Sequence, residues 1–232
     1  MNKIMVITGT SKGIGRELSQ YYLKKGYTVI GCSRSESELL HERYEHFCLD
    51  VSDEKSVEKM ITDVSRKYKK IDYLLNNAGI ASMNHTLLTP ASVVEKIFKV
   101  NVLGTFLFSR EVAKVMSKNK WGRVVNFSTI GVPLRLEGEC IYTSSKAAVE
   151  MMTRILAKEY AGMNITVNAV GPTPVKTDLI RNIPEDKITS LINRQAVKKM
   201  SDHGDIINVI NFFINHKSNM VTGQVLYLGG LS

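Results

Sequence analysis

Short apolar runs and longer amphipathic stretches alternate along the chain from one end to the other. Residues 3–8, KIMVIT, are a β-branched run that breaks at glycine and gives way to a helical pattern over about 13–25. Residues 27–32, YTVIGC, read as a second strand. Residues 46–49 lead into LDVSDEKSVEKMITDVSRKY, a helical stretch for which Ser52 is the expected N-cap. There follow IDYLLN over 71–76, a long helix over about 90–117, RVVNFS over 123–128 and a helix opening on CIYTSSKAAVEMM. NITVNAV over 164–170, a helix over about 202–215 and a final QVLYL complete the order.

The strand runs are apolar nearly throughout instead of alternating, as expected when helices cover both faces of a sheet. Repeated β–α–β units with short links predict an α/β fold with a parallel, doubly wound sheet. With no internal repeat, low-complexity segment or linker, residues 1–232 read as one domain. The long irregular stretch over about 171–200, beginning GPTPVKTDLIRNIPEDK, is expected to be a substrate lid.

Composition narrows the class. Of the 232 residues 44% are hydrophobic and 23% charged, which is the profile of a soluble globular chain with a sizeable core. No segment approaches the roughly 18 consecutive apolar residues of a membrane span, and MNKIMVITGT reads as a first strand rather than a signal peptide. Cys32, Cys48 and Cys140 are odd in number, far apart and in no metal-like spacing, so a reduced cytoplasmic protein without a metal is expected. The net charge of +9 is spread in ones and twos among glutamates; its densest cluster, Arg66 to Lys70, suits a helix C-terminus. That pattern argues against nucleic acid as a partner and for a mild attraction to anionic cofactors and substrates.

Two stretches carry candidate chemistry. Directly after the first strand comes TGTSKGIG, in which Gly9, Ser11, Lys12, Gly13, Ile14 and Gly15 open a helix. Glycines allow a tight turn and close backbone approach, and the helix start offers N–H groups and a positive dipole end to a pyrophosphate. An enzyme preferring NAD places an acid at the end of the second strand to hold the ribose 2′-OH. Here Ser33 stands at that position and Arg34 follows, with Lys12 as a second cation, so NADP(H) is expected. The other stretch sets Tyr142 four residues before Lys146, side by side on one helix face. Such a pair is either a chance surface neighbour or a general acid beside an ammonium.

Taken together, TGTSKGIG (8–15), LDV (49–51), NNAG (76–79), VNVLGTF (100–106), VNFS (125–128), YTSSK (142–146) and NAVGPTPVKTD (168–178) resemble the short-chain dehydrogenase/reductase family over essentially the whole chain. The resemblance implies a Rossmann-type seven-stranded sheet of order 3-2-1-4-5-6-7 and assembly into homotetramers or homodimers through two long helices. It implies that Tyr142 exchanges a proton with a carbonyl or alcohol oxygen, and that Lys146 lowers the Tyr142 pKa and holds the nicotinamide ribose. Asn101 is the matching asparagine. The hydroxyl that holds the substrate oxygen is expected at Ser128, with Thr129, thirteen residues before Tyr142, as the alternative. Asp50 and Val51 match the adenine contacts, Asn77, Ala78 and Gly79 the turn beside the adenine ribose, and Pro172, Val175 and Thr177 the nicotinamide carboxamide contacts. The chain departs from the family at Pro172-Thr173, where Pro-Gly is usual, and at Leu228, where an acid is usual.

The substrate is expected between the 132–140 loop, with Arg135, Glu137 and Glu139, and the lid, with Lys176, Arg181 and Arg194. Three readings stay open: a reductase of a small carbonyl or sugar-type substrate, a 3-oxoacyl-[acyl-carrier-protein] reductase, and a nucleotide-binding regulatory protein without catalysis.

Overall fold

In the computed structural model, which describes residues 3–175 and 185–230, seven strands form one parallel sheet of order β3-β2-β1-β4-β5-β6-β7. They are β1 (Ile4–Thr8), β2 (Thr28–Ser33), β3 (Tyr44–Cys48), β4 (Tyr73–Asn76), β5 (Gly122–Phe127), β6 (Ile165–Gly171) and β7 (Val225–Tyr227). The helices are α1 (Gly13–Lys24), α2 (Glu54–Tyr68), α3 (Ala91–Phe98), α4 (Gly104–Asn119), α5 (Gly131–Leu134), α6 (Cys140–Tyr160), α7 (Glu185–Asn193) and α8 (His203–Ile214).

Side chains alternate across a strand, so each apolar strand feeds two cores. From β1, Ile4 and Val6 enter a cluster built with Val57 and Ile61 of α2, Phe108 and Val112 of α4 and Leu156 of α6. Met5 and Ile7 enter the opposite cluster, with Leu18 and Tyr22 of α1 and Ile210 and Phe213 of α8. The apolar pattern therefore reports two-sided burial for β1, β2, β4, β5 and β6. The edge strand β3, YEHFC, departs from it and is only half-buried.

Three local features differ from the expectation. Asp53, not Ser52, caps α2 by accepting from the Ser56 N–H, while Ser52 donates to Asp50 Oδ1 through its N–H (2.9 Å) and hydroxyl (2.8 Å). The expected helix over 90–117 is two helices joined by a π-helical turn, Lys99–Leu103. Within the 171–200 stretch, residues 185–193 form α7 instead of irregular chain.

A polar ladder crosses the buried middle of the sheet. Asn76 Nδ2 donates to Asn126 Oδ1 (2.8 Å) and to Ser109 Oγ of α4 (3.0 Å), and Asn126 Nδ2 donates to Thr153 Oγ1 of α6 (2.9 Å). Asn76 and Asn126 are register partners at the carboxyl ends of β4 and β5. The ladder fixes α4 and α6 against the edge from which the loops spring. Asn126→Ala strands the Asn76 amide in a dry environment, so a loss of about 1–3 kcal/mol is expected in urea unfolding.

Candidate active site

The turn after β1 is a close contact between two backbones. Gly9 and Thr10 donate their N–H groups to the Cys32 carbonyl at 2.7 and 3.2 Å. Gly9 sits at φ +76, and a Cβ there would stand 2.9 Å from Ala78 Cα; one on Gly15 would stand 2.1 Å from the Gly9 carbonyl oxygen. No other residue fits either place. The Asn77 side-chain amide donates to the carbonyls of Thr8 (2.9 Å) and Gly9 (3.3 Å), and the Ala78 N–H donates to Thr8 Oγ1 (2.9 Å). The segment Asn77–Gly79 is thus a latch on the glycine turn. Helix α1 starts at Gly13 with no side-chain cap from Lys12 and no acidic residue in its first turn. Its N–H groups and dipole are arranged for an anion, which is what a dinucleotide pyrophosphate requires. Ser11 and Ile14 are half-buried on this turn and Lys12 is exposed.

At the end of β2 Ser33 is buried and Arg34 exposed. No carboxylate belongs to this position, so the residues suit a 2′-phosphate better than a 2′-hydroxyl. Burial pushes the Asp50 carboxyl up, but two hydrogen bonds from Ser52 and the charges of Arg34 and Lys99 outweigh it and hold the group below its ordinary value. Arg34 and Asp50 therefore share one electrostatic neighbourhood, with Val51 buried in the core beside them.

Helix α6 places Tyr142 and Lys146 one turn apart. Lys146 is 4% exposed and donates from Nζ to the Phe127 carbonyl, the last of β5, at 2.8 Å. Burial lowers its pKa to about 8. Tyr142 is half-buried; burial and then the Glu139 carboxylate push its phenol above the ordinary value, against a hydrogen bond from Thr129. The expected lowering of the phenol by the ammonium is not what sets it here. Burial is the first cause for each group, and it drives both toward their neutral forms.

The π-helical turn carries Asn101 inward until it is fully buried. Its Oδ1 accepts from the Ile80 N–H (2.9 Å), and its Nδ2 donates to the Ile80 carbonyl (2.9 Å) and to Ser145 Oγ (2.9 Å). Ser145 Oγ in turn donates to the Tyr142 carbonyl (2.6 Å). Asn101 therefore ties the loop after β4 to the first turn of α6. A Cβ on Gly79 would lie 3.3 Å from Asn101 Oδ1 and 3.4 Å from Lys146 Nζ, so these groups line one small space.

Ser128 does not join them. Its hydroxyl donates to Glu150 Oε1, which also accepts from the Tyr227 hydroxyl, and both Ser128 and Glu150 are buried. The hydroxyl that acts on the phenol, toward its ionised form, is Thr129. Of the other expected contacts, Pro172 accepts the Ile130 N–H through its carbonyl (3.2 Å) and Val175 is buried in the α1–α8 core. Thr177, Lys176 and Arg181 lie outside the described residues. Arg194 donates to the Leu134 carbonyl (2.8 Å), bracing α5, while Arg135 and Glu137 are exposed. No helix among the described residues is long and apolar enough to cross a membrane.

Residues 3–188 match the family model described as short chain dehydrogenase. A 3-oxoacyl-[acyl-carrier-protein] reductase of Thermotoga maritima is 31% identical, the alignment covering 98% of this chain and 96% of that one. Among solved structures, ElxO with NADP bound has a TM-score of 0.90 at 30% identity, covering 98% and 97% of the two chains. 4-Hydroxyisoleucine dehydrogenase complexed with NADH reaches 0.88 at 27% identity, covering 99% and 98%. The ligand-free aldohexose dehydrogenase of Thermoplasma acidophilum reaches 0.91 at 26% identity, covering 99% and 94%.

The two hydroxyls are separable by substitution. Thr129→Ala is expected to cut turnover about a hundredfold or more, the scale of losing one donor to a reacting oxygen. Ser128→Ala is expected to leave turnover within a few-fold and to lose about 1–3 kcal/mol in urea unfolding, because Glu150 forfeits a buried donor. Lys146 gives a second test. Its pKa falls from an ordinary 10.5 to about 8, so the unfolded chain holds more protons between those values and folding gains stability as pH rises through them. Relative to Lys146→Met, the unliganded wild type should gain stability between pH 8 and 10.5, read by urea melts at both ends.

Proposed function

The chain belongs to the short-chain dehydrogenase family, and we propose that within it this protein is an NADP(H)-dependent oxidoreductase interconverting a carbonyl and a secondary alcohol on a small, sugar-type substrate. The observation that carries the reading is the convergence of Thr129, Tyr142, Lys146 and Asn101 at the carboxyl end of β5, beside a glycine turn built for a pyrophosphate. Bound at that edge, a nicotinamide supplies or accepts the hydride.

The chain's own residues handle the proton. Burial keeps the Tyr142 phenol protonated, which suits it to donate to a carbonyl oxygen in the direction of reduction. The Thr129 hydroxyl, whose influence reaches the phenol, is assigned to hold the same oxygen. Lys146 is poised to carry charge near neutral pH, and Asn101 fixes the turn of α6 that presents both groups. Gly9, Gly13 and Gly15 hold the pyrophosphate, Lys12 and Arg34 the 2′-phosphate, and Asp50 and Val51 the adenine.

The NADP of ElxO supports the choice of nucleotide and the aldohexose dehydrogenase supports a sugar-type substrate. A second reading, reduction of a 3-oxoacyl group on a carrier protein, is favoured by the Thermotoga relative and by the +9 charge, which suits an acidic carrier. A homo-oligomeric, cytoplasmic protein completes the proposal. Phe106 of α4 and Met151 and Ile155 of α6 expose apolar surface for a second copy, and free Cys48 and Cys140 are exposed, which suits a reducing compartment.

NADPH oxidation against keto-sugars and an acetoacetyl thioester tests both readings. Turnover of one class identifies the substrate. Tyr142→Phe should lower it by about 10²–10⁴ while NADPH binding persists. Turnover unchanged in that variant would remove the phenol from the mechanism.

A further inference from the structure

We propose that His46 is a positioning residue for the 2′-phosphate end of the cofactor site, pinning the segment that carries Arg34 and thereby setting the preference for NADPH over NADH. The inference rests on the NADP(H) reading above and extends it to a residue on the edge strand.

His46 of β3 is the register partner of Gly31 in β2. A Cβ on Gly31 would lie 2.4 Å from both Thr10 Oγ1 and the Tyr44 hydroxyl, so the missing side chain leaves room for these groups to meet over the strand. The half-buried His46 ring fits between them and the end of β2. Its Nδ1 lies 2.9 Å from the Tyr44 hydroxyl and 3.3 Å from Thr10 Oγ1; its Nε2 lies 3.1 Å from Ser33 Oγ and 3.0 Å from the Ser35 carbonyl oxygen. Thr10 belongs to the glycine turn, and Ser33 and Ser35 flank Arg34. One ring therefore ties together the two segments that carry Lys12 and Arg34.

The hydrogen placement follows from what each partner can do. A carbonyl only accepts, so Nε2 carries a hydrogen. Ser33 Oγ donates to the same Ser35 carbonyl (2.7 Å) and so meets Nε2 as an acceptor. Nδ1 then accepts from the Tyr44 hydroxyl at 2.9 Å, and Thr10 Oγ1, 3.0 Å from that hydroxyl, closes the chain of contacts back to the glycine turn. Both neighbours of Arg34 are thus held through the imidazole, while Arg34 itself stays exposed. The Ser35 carbonyl, one residue past Arg34, is satisfied within the fold by Ser33 and His46. Without the ring, Ser33 and Ser35 are released and Arg34 has more conformations to lose on binding.

Calorimetric titration with NADPH and with NADH, on wild type, His46→Ala, His46→Gln and Arg34→Ser, separates this role from its parent reading. Thermal melts beside it confirm that each variant is folded. His46→Ala is expected to weaken NADPH about tenfold, on the scale of a hydrogen bond to a charged group, and NADH less than twofold. His46→Gln, whose amide N–H can reach the Ser35 carbonyl, is expected to recover part of the loss. A wild-type preference for NADPH that survives intact in His46→Ala overturns the role of His46 alone. So does equal weakening of both nucleotides, which marks a general scaffold. A wild type that binds NADH as tightly as NADPH overturns the NADP(H) reading itself, whereas a preference untouched in Arg34→Ser overturns the role of Arg34 and, with it, that of His46.

Discussion

The site depends on a place where two stretches of backbone touch. Gly15 lies so close to the Gly9 carbonyl that a single methyl group there would force them apart, and Asn77 binds the carbonyls of Thr8 and Gly9 from the other side. This contact joins the start of α1 to the end of β4, the two elements that leave β1 in opposite directions across the sheet. The strand order reverses at β1, and in an open parallel sheet the reversal opens a crevice at the carboxyl edge. The glycine turn is its floor. The Asn76–Asn126–Thr153 ladder, one residue earlier on β4, holds α6 to the same edge. Nucleotide end and catalytic end are thereby fixed to one rigid frame.

Within that frame the electrostatics are governed by burial more than by pairing. The phenol of Tyr142 is pushed up and the ammonium of Lys146 pulled down, so desolvation moves an acid and a base toward their uncharged forms by the same cause. Glu139 adds to the push on Tyr142 and is itself raised by burial, in spite of a hydrogen bond from Thr143. A protonated phenol is the form that gives a proton to a carbonyl oxygen.

The frame was legible in the sequence because it rests on periodicity and on glycine. Apolar runs marked the strands, and TGTSKGIG marked the turn, since both follow from simple steric rules. What escaped was decided by single-residue offsets. A π-helical turn looks like continuous helix in sequence, yet it alone brings Asn101 into the interior. Ser52 and Asp53 are both good caps, and the carboxylate at Asp53 takes the role while Ser52 turns to Asp50. Ser128 and Thr129 are both hydroxyls just beyond β5, and it is long-range contact that separates them: Ser128 is taken up by Glu150, while Thr129 acts on the Tyr142 phenol. The thirteen-residue spacing to Tyr142 was the available signal, and it pointed to Thr129. His46 carried no signal, because its contacts with Thr10 and Ser33 bridge segments far apart in the chain.

The same geometry bears on what reaches Tyr142. Glu139 lies where a Cβ on Gly131 would come within 2.9 Å of its Oε2, so its carboxyl sits against the start of α5 from the N-terminus of α6, near enough to act on the phenol. Arg194, which from sequence alone looked available to an anionic substrate, is braced on the Leu134 carbonyl at the other end of α5. Among the described residues, the field at Tyr142 therefore carries an acidic contribution from Glu139, with Arg194 committed to the scaffold. A carboxyl group there disfavours a negatively charged substrate and accepts hydrogen bonds from a hydroxyl-bearing one. The +9 net charge, by contrast, acts over the whole surface and speaks to encounter rather than to the pocket. Charge near the reacting group decides chemistry at shorter range than charge on the surface.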